Sequence, residues 1–382
     1  TSTLAAPFSS RAGDLATSVT IPFPFLTTET AAEKISSRAA SRKKSTKSAS
    51  SKTAIAMKTS FGSSSAITPL TIGLFALFKN IDIQLFRVIK LVVLGSSAAV
   101  PSIERSLSAV GIRYDGNVYL FDCGEGTQRQ MMRFGLSYAK VKCVFVTHAH
   151  ADHIVGLAGL AQTLDLIQRK EPLPVFCPRG SAPTLKALLS IGKYGYEIKI
   201  AEVSEGVVYE GPDFKVSCFP VKHSRAAVGY VFQQAERRNF VKKRCDELGI
   251  RGTMFRELEE KGEIMVKGRK IRIEDVTTTR PGVKIVYTGD CVPGESTVAA
   301  ARGADVLIHD ATYAKELEKL AIEYLHSTAS QAAELARRAG VKKLVLTHIS
   351  NRYESAELLE KEAREIFAES IVATDGLELL LK

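Results

Sequence analysis

The chain has 382 residues, enough for one large α/β domain with extensions or for two average domains. Its hydrophobic content of 45% allows a sizeable core, and a charged content of 24% is typical of a soluble globular protein, which excludes a wholly disordered or membrane-embedded chain. The net charge of +11 is unevenly placed: residues 1–66 contain nine Lys and Arg against three Asp and Glu, which leaves only +5 for the remainder. Overall charge is therefore a weak argument for an anionic partner.

Residues 1–66 differ in composition from the rest of the chain. They are rich in Ser, Thr and Ala and poor in acidic residues, so they cannot bury enough apolar surface to fold, and we predict a disordered extension. The same composition is typical of an organellar transit peptide, which predicts a mitochondrial or plastid location. A nuclear signal at 42–44 (Arg-Lys-Lys) or a plain basic tail is the alternative, and either would leave the protein in the nucleus or cytoplasm.

Residues 67–89 are predicted to be a linker of unclear structure. The apolar stretch 69–94 is interrupted by Lys79, Asp82, Arg87 and Lys90. Each charge at the centre of a bilayer costs about 2.5–3.5 kcal/mol, so the stretch does not predict a membrane-spanning helix, and no membrane partner is expected.

From residue 90 onward, strand and helix patterns alternate. The predicted strands are 90–95, a hairpin of 110–114 and 118–122, 141–147, 214–221, 284–288, 305–309, 343–347 and a last strand from 371, and the predicted helices are 154–168 and 330–339. This alternation predicts a layered α/β body over 90–382. The six cysteines are scattered without a C-x-x-C pair, which predicts buried free thiols rather than a disulfide or zinc-knuckle framework.

The strongest chemical pattern is His148-Ala-His150-Ala-Asp152-His153, which lies between a predicted strand and a predicted helix. Three imidazoles and a carboxylate within six residues are the ligand types that zinc prefers. The spacing belongs to a loop, not to the helical H-E-x-x-H arrangement. Since the whole chain contains only seven histidines, a chance polar turn is a poor explanation.

These residues resemble the signature of the metallo-β-lactamase superfamily, and the resemblance extends over about 90–382. It implies an αββα sandwich and two Zn²⁺ per chain. It also supplies further ligands, each after a predicted strand: His223, Asp290 and His348. The first zinc would be held through His148, His150 and His223, the second through Asp152, His153 and His348, and Asp290 would bridge them.

Within the superfamily, three segments resemble the tRNase Z family. They are Leu94–Ser106 followed by Leu120–Gln128, the His-Asp-Ala-Thr segment at 309–312, and the His-Ser-Thr segment at 326–328. The resemblance implies a zinc-dependent endoribonuclease that hydrolyses a phosphodiester bond to remove the 3′ trailer from precursor tRNA. Asp152 would accept the proton of the nucleophile, and His326, oriented by Asp310, would protonate the leaving oxygen or hold the phosphate. The chain departs from the family in having Asp310 where Glu is more common.

An insertion between His223 and Asp290, at about 232–283, resembles the tRNA-binding arm of that family. Its candidate phosphate-binding residues are Arg237, Arg238, Lys242, Lys243 and Arg244. Such cations would neutralise phosphates without reading bases, although a solvated surface helix and hairpin is the simpler alternative. The resemblance also implies a homodimer. The competing functions are another hydrolase of this fold, such as a cyclic phosphodiesterase or an arylsulfatase-like enzyme, and a non-catalytic RNA-binding protein.

Overall fold

The computed structural model describes residues 88–382, and fourteen of the eighteen strands in this part of the chain form two seven-stranded sheets. The predicted extension over 1–66 and all but the end of the predicted linker over 67–89 lie outside the described residues. The first sheet has the order β18-β1-β2-β3-β4-β5-β6, with β1 (Ile89–Gly95), β2 (Ala109–Tyr114), β3 (Asn117–Phe121), β4 (Val141–Phe145), β5 (Leu173–Pro178), β6 (Ile198–Val203) and β18 (Glu378–Leu381). The second has the order β17-β16-β15-β14-β9-β8-β7, with β7 (Gly206–Glu210), β8 (Phe214–Val221), β9 (Ala227–Gln234), β14 (Lys284–Tyr287), β15 (Val306–Asp310), β16 (Leu344–Thr347) and β17 (Ser370–Val372).

Strand β1 shows why its sequence is a continuous apolar run. Leu91 and Val93 lie in the core between the two sheets, whereas Val92 and Leu94 lie in the core beneath an outer layer of helices. A strand that is covered on both faces needs apolar side chains in both orientations.

Helices cover the outer face of each sheet. Over the first sheet lie α1 (Thr127–Arg133), α2 (Ala151–Ile154), α3 (Gly156–Leu166) and α4 (Ala182–Leu189). The later helices are α5 (Lys242–Glu247), α6 (Met254–Lys261), α7 (Ile273–Val276), α8 (Glu295–Ala301), α9 (Glu318–Tyr324), α10 (Ala329–Ala339) and α11 (Glu357–Ile366), with short 3-10 helices at Tyr138–Lys140 and Lys315–Leu317. Because α8, α10 and α11 pack on the second sheet, the predicted αββα sandwich is confirmed. Among residues 88–382, no helix is both long and apolar enough to cross a bilayer.

The inserted arm lies between β9 and β14, two strands that pair with each other. Predicted to begin at residue 232, it begins after Gln234, because β9 continues to that residue and its N–H donates to the Val283 carbonyl over 2.9 Å. The arm contains α5, α6 and α7 together with β10 (Arg237–Phe240), β11 (Glu263–Val266), β12 (Arg269–Arg272) and β13 (Thr277–Arg280). Strands β10 and β13 form a two-stranded stem, and β11 and β12 form a hairpin.

The arm has a hydrophobic core of its own. Cys245 from α5, Leu258 from α6 and Ile264 from β11 are buried together with five further apolar residues of the arm. A segment with its own buried cluster is a folded module, not a loose loop.

The predicted state of the cysteines is confirmed. All six are buried, and none forms a disulfide: Cys123, Cys143, Cys177, Cys218, Cys245 and Cys291.

Candidate active site

The topology brings the predicted ligands to one edge of the sandwich. Strands β14, β15 and β16 are parallel neighbours, and Asp290, Asp310 and His348 lie at their ends or within three residues after them. Strand β8 is antiparallel to β9, which is itself antiparallel to β14, so β8 ends at the same edge and delivers His223. The His-x-His-x-Asp-His segment follows β4 of the opposite sheet.

The first candidate metal group consists of His148, His150, His223 and Asp290, whose ligand atoms all lie within 4.8 Å of one another. His148 Nε2 is 3.0 Å from His150 Nδ1, and that nitrogen is 3.3 Å from His223 Nε2. Burial lowers the pKa of His148 well below its usual value and that of His150 to about 4. Both imidazoles are therefore neutral near pH 7, which is the form that binds a metal.

The second candidate metal group consists of Asp152, His153, Asp290 and His348, so Asp290 belongs to both. His348 Nε2 is 3.1 Å from Asp290 Oδ2 and 3.3 Å from Asp152 Oδ2. His153 Nε2 and Asp290 Oδ1 are buried and lie 3.2 Å apart as an ion-pair contact, but neither atom makes a well-aligned hydrogen bond. Because buried polar atoms are costly to leave unsatisfied, these two atoms fit a site built to receive a cation.

Asp122 holds the ligand loops together, a role that the sequence analysis did not assign. Its carboxylate accepts hydrogen bonds from His153 Nδ1 (2.8 Å), from the Thr147 amide (2.7 Å) and hydroxyl (2.8 Å), and from the Tyr287 hydroxyl (2.8 Å). The bond from His153 Nδ1 leaves Nε2 of that ring for a metal. The available signal was an acidic residue directly after a buried apolar strand.

Asp152 is positioned from the backbone of the loop after β1. The Ala99 N–H donates to Asp152 Oδ2 over 3.0 Å, and Ala99 is held in the left-handed conformation at φ 57°. The hydrogen bonds of Asp152 described within 88–382 all involve Oδ2.

His326 and Asp310 form the ion pair that the sequence predicted. His326 Nδ1 is 2.8 Å from Asp310 Oδ2, so the shorter Asp side chain does reach the imidazole. Burial lowers the pKa of His326, but the facing carboxylate outweighs that effect and raises the pKa to about 9. The His326 ring stacks on that of His348, with centroids 5.1 Å apart, and therefore lies beside the second metal group.

Thr312 connects this pair to the metal group. Its hydroxyl donates to Asp310 Oδ1 over 2.7 Å and lies 2.9 Å from His348 Nδ1. The buried His309, left without a catalytic role by the sequence analysis, lies 3.8 Å from Cys291 Sγ through its Nε2.

The five candidate phosphate-binding residues fall into two sets. Arg237 lies at the stem of the arm, where its guanidinium donates to the buried Tyr114 hydroxyl over 2.8 Å and approaches Asp213 to 3.5 Å. Arg238 lies 3.6 Å from Glu274. The remaining three are exposed on α5: Lys242, Lys243 and Arg244.

The positive charge of the body is concentrated in the arm. Residues 237–280 contain thirteen Lys and Arg against eight Asp and Glu, whereas the segments 67–236 and 281–382 together contain thirty of each sign. The net charge of +5 carried by the chain beyond residue 66 therefore comes entirely from the arm.

Comparisons with known proteins agree with this geometry. A family model described as a beta-lactamase superfamily domain matches residues 117–241 and 257–349. A ribonuclease Z from Archaeoglobus fulgidus is 43% identical over 76% of this chain and 97% of its own length, and one from Methanothermobacter thermautotrophicus is 40% identical over 76% and 95%. The crystal structure of human tRNase Z, short form, superposes with a TM-score of 0.56 at 27% identity, covering 76% of this chain and 98% of that chain.

Proposed function

We infer that this chain, which belongs to the ribonuclease Z family of the metallo-β-lactamase superfamily, removes the 3′ trailer from precursor tRNA by hydrolysing a phosphodiester bond. The observation that carries this inference is that the His326–Asp310 pair lies beside the two candidate metal groups. The 40–43% identity to the two ribonuclease Z relatives extends over 95% and 97% of their length, so it is not confined to the metal-binding motifs.

The donor set fits two Zn²⁺ per chain. Neutral imidazoles and carboxylates are zinc ligands, and the orphaned His153 Nε2 and Asp290 Oδ1 give a physical reason for a cation between them. The first ion would be held by His148, His150 and His223, the second by Asp152, His153 and His348, and Asp290 would serve both. Zinc bound there would supply Lewis acidity, of the kind that activates water near neutral pH and offsets the charge on a phosphate.

The chain's own residues then handle the protons. Asp152, oriented by the Ala99 amide, presents Oδ1 as the acceptor for the proton of the attacking water. His326 is anchored through Nδ1 to Asp310, which leaves Nε2 to donate a proton to the leaving 3′ oxygen. The product tRNA then ends in a free 3′-hydroxyl.

The arm supplies affinity for a large anionic substrate. Its exposed α5 cations can contact phosphates far from the ligands, and such contacts do not depend on base sequence. A cyclic phosphodiesterase or arylsulfatase-like enzyme acts on a small substrate and gains nothing from such an arm. A non-catalytic RNA-binding role gives no reason for seven candidate metal ligands to converge at one site.

The test is cleavage of a 3′-extended precursor tRNA with mapped product ends, alongside hydrolysis of bis(p-nitrophenyl) phosphate. Wild-type protein should release a discrete trailer and leave a 3′-hydroxyl on the tRNA. Replacing His326 with Ala should lower kcat on the tRNA by about 10²–10⁴, the usual effect of losing a general acid. The nitrophenyl ester should lose far less activity, because its leaving group departs without a proton.

The zinc content and melting temperature of His326→Ala should match those of wild type, since His326 is not in either proposed ligand set. Equal losses on the two substrates would instead assign His326 to holding the phosphate. Absence of tRNA cleavage by zinc-loaded wild type would refute the proposed function.

Two further parts of the proposal follow from family and composition. We expect a homodimer, which sedimentation of the full chain would detect. We expect import into a mitochondrion or plastid through residues 1–66, which a fluorescent fusion with and without that segment would test.

A further inference from the structure

Leu325 has a backbone conformation that its side chain does not favour. It caps the C-terminus of α9 in the left-handed region, at φ 59° and ψ 47°. An L residue with a Cβ is sterically disfavoured in this region, and such positions cluster at functional sites. The residue is half-buried and contributes no ligand atom.

The peptide that joins Leu325 to His326 is fixed through both of its polar atoms. Its carbonyl accepts a hydrogen bond from His223 Nδ1 over 2.9 Å. Its N–H, which belongs to His326, donates to the Ala321 carbonyl over 2.8 Å. One peptide plane therefore links a ligand of the first metal group to the end of α9.

The carbonyl contact determines which nitrogen of His223 can bind a metal. A ring that donates from Nδ1 has its lone pair on Nε2, and His223 Nε2 is the atom that faces His150 Nδ1 at 3.3 Å. The same turn also fixes the position of the His326 backbone, from which the next side chain extends. The His326 ring lies 5.1 Å from that of His223, centroid to centroid, and reaches Asp310 over 2.8 Å.

We propose that Leu325 is a positioning residue whose left-handed turn presets the metal-binding tautomer of His223 and, through the same peptide, the place of His326. The part that concerns His326 rests on the proposed function, whereas the part that concerns His223 does not. If residue 325 left the left-handed region, its carbonyl would turn away from His223 and the start of His326 would move with it.

Three substitutions separate this role from general stability. Leu325→Gly keeps the turn because glycine adopts the left-handed region without strain. Leu325→Val opposes it because a β-branched residue is an outlier there, and Leu325→Ala should be intermediate. The matched control is Gln168→Val, since Gln168 is also left-handed (φ 59°) and follows helix α3.

The first measurement is NMR of ¹⁵N-histidine-labelled full-length protein without metal. Wild type and Leu325→Gly should show His223 protonated at Nδ1, and Leu325→Val should show a mixture of tautomers. The second measurement is zinc affinity by competition with a chromophoric chelator. Leu325→Val should bind the weaker of its zinc ions about 10–100-fold less tightly, the usual effect of losing an outer contact of a ligand. Gln168→Val should lower the melting temperature and leave affinity unchanged.

The third measurement is the ratio of kcat on precursor tRNA to kcat on bis(p-nitrophenyl) phosphate at saturating zinc, which should fall in Leu325→Val and recover in Leu325→Gly. An unchanged His223 tautomer and unchanged zinc affinity in both the Val and Ala variants would overturn the proposal. If wild type fails to cleave tRNA, the proposed function fails, while the tautomer and affinity results still decide the role of Leu325 toward His223. If Leu325→Val does not fold, Leu325→Ala provides the same readouts.

Discussion

Neutralising Lys242, Lys243 and Arg244 together, by substitution with Gln, should weaken tRNA binding without changing the chemistry at the metal groups. All three are exposed on α5, and none of the ion pairs found within residues 88–382 involves them. Arg237 should behave differently, because it is tied to the buried Tyr114 hydroxyl at the stem of the arm.

The magnitude follows from counterion release. If each of the three side chains neutralises one phosphate, the slope of log affinity against log salt should become shallower by about 0.9 per contact, or about 2.7 in all, with duplex DNA as the guide. Between 50 and 200 mM salt, the ratio of wild-type to variant affinity should therefore shrink by about 40-fold. Arg237→Gln should instead cost about 1–2 kcal/mol of unfolding free energy, since it removes a charged hydrogen-bond donor from a half-buried contact.

The assay compares tRNA binding at several salt concentrations with cleavage of tRNA and of bis(p-nitrophenyl) phosphate. The triple variant should raise KM for tRNA, keep kcat on the small ester and keep its zinc content. A wild-type salt slope would mean that α5 is a solvated surface helix. Equal losses on both substrates would mean that the segment supports the active site structurally.

The remaining predictions concern the metal groups, the extension and the packing beneath the site. Zinc titration should give about two ions per chain, and Asp290→Ala should lower that number because this carboxylate belongs to both groups; full occupancy with full activity would contradict the assignment. Removing residues 1–66 should leave tRNA cleavage by folded protein intact, since their composition cannot contribute a core, and loss of activity would refute that interpretation. Gly156→Ala should lower stability by at least about 1–3 kcal/mol, because its Cβ would lie 1.9 Å from the Gly124 carbonyl oxygen; Gly294→Ala, whose nearest contact is 3.7 Å, is the control in the same thermal melt.

The sequence predicted those parts of the site whose signals are local. The strand predicted at 214–221 has those bounds, and His223, Asp290 and His348 lie in the loops after the strands that were predicted to carry them. These ligands could be predicted because buried strands are apolar runs, and a polar residue directly after such a run is conspicuous.

Contacts between residues distant in sequence could not be predicted in this way. Asp122 binds Tyr287, which lies 165 positions away, and Thr312 reaches His348 across 36. The hydrophobic periodicity of the sequence does not predict such pairs, because they depend on how distant segments pack in the fold. The helix predicted at 154–168 also proved to be two helices, 151–154 and 156–166, so Asp152 and His153 lie within the first of them.

The five candidate phosphate-binding residues of the arm were grouped by their proximity in the sequence, although they span two elements. Arg237 and Arg238 lie on β10, whereas the next three cations lie on α5. The sequence shows that this segment is basic, but it does not show which arginine is held by a buried partner and which faces solvent.

The position of the arm within a hairpin has an evolutionary consequence. Strands β9 and β14 pair directly at its base, so the ends of the insertion are held together by the body whatever the insertion contains. Length changes and sequence drift there should leave the ligand loops in place, because those loops follow other strands. The arm also has a buried cluster of its own, so it can vary as a unit. The arm and the metal groups can thus diverge at separate rates, and under the proposed function an arm grafted from a relative onto this hairpin should change which RNAs bind while the chemistry stays the same.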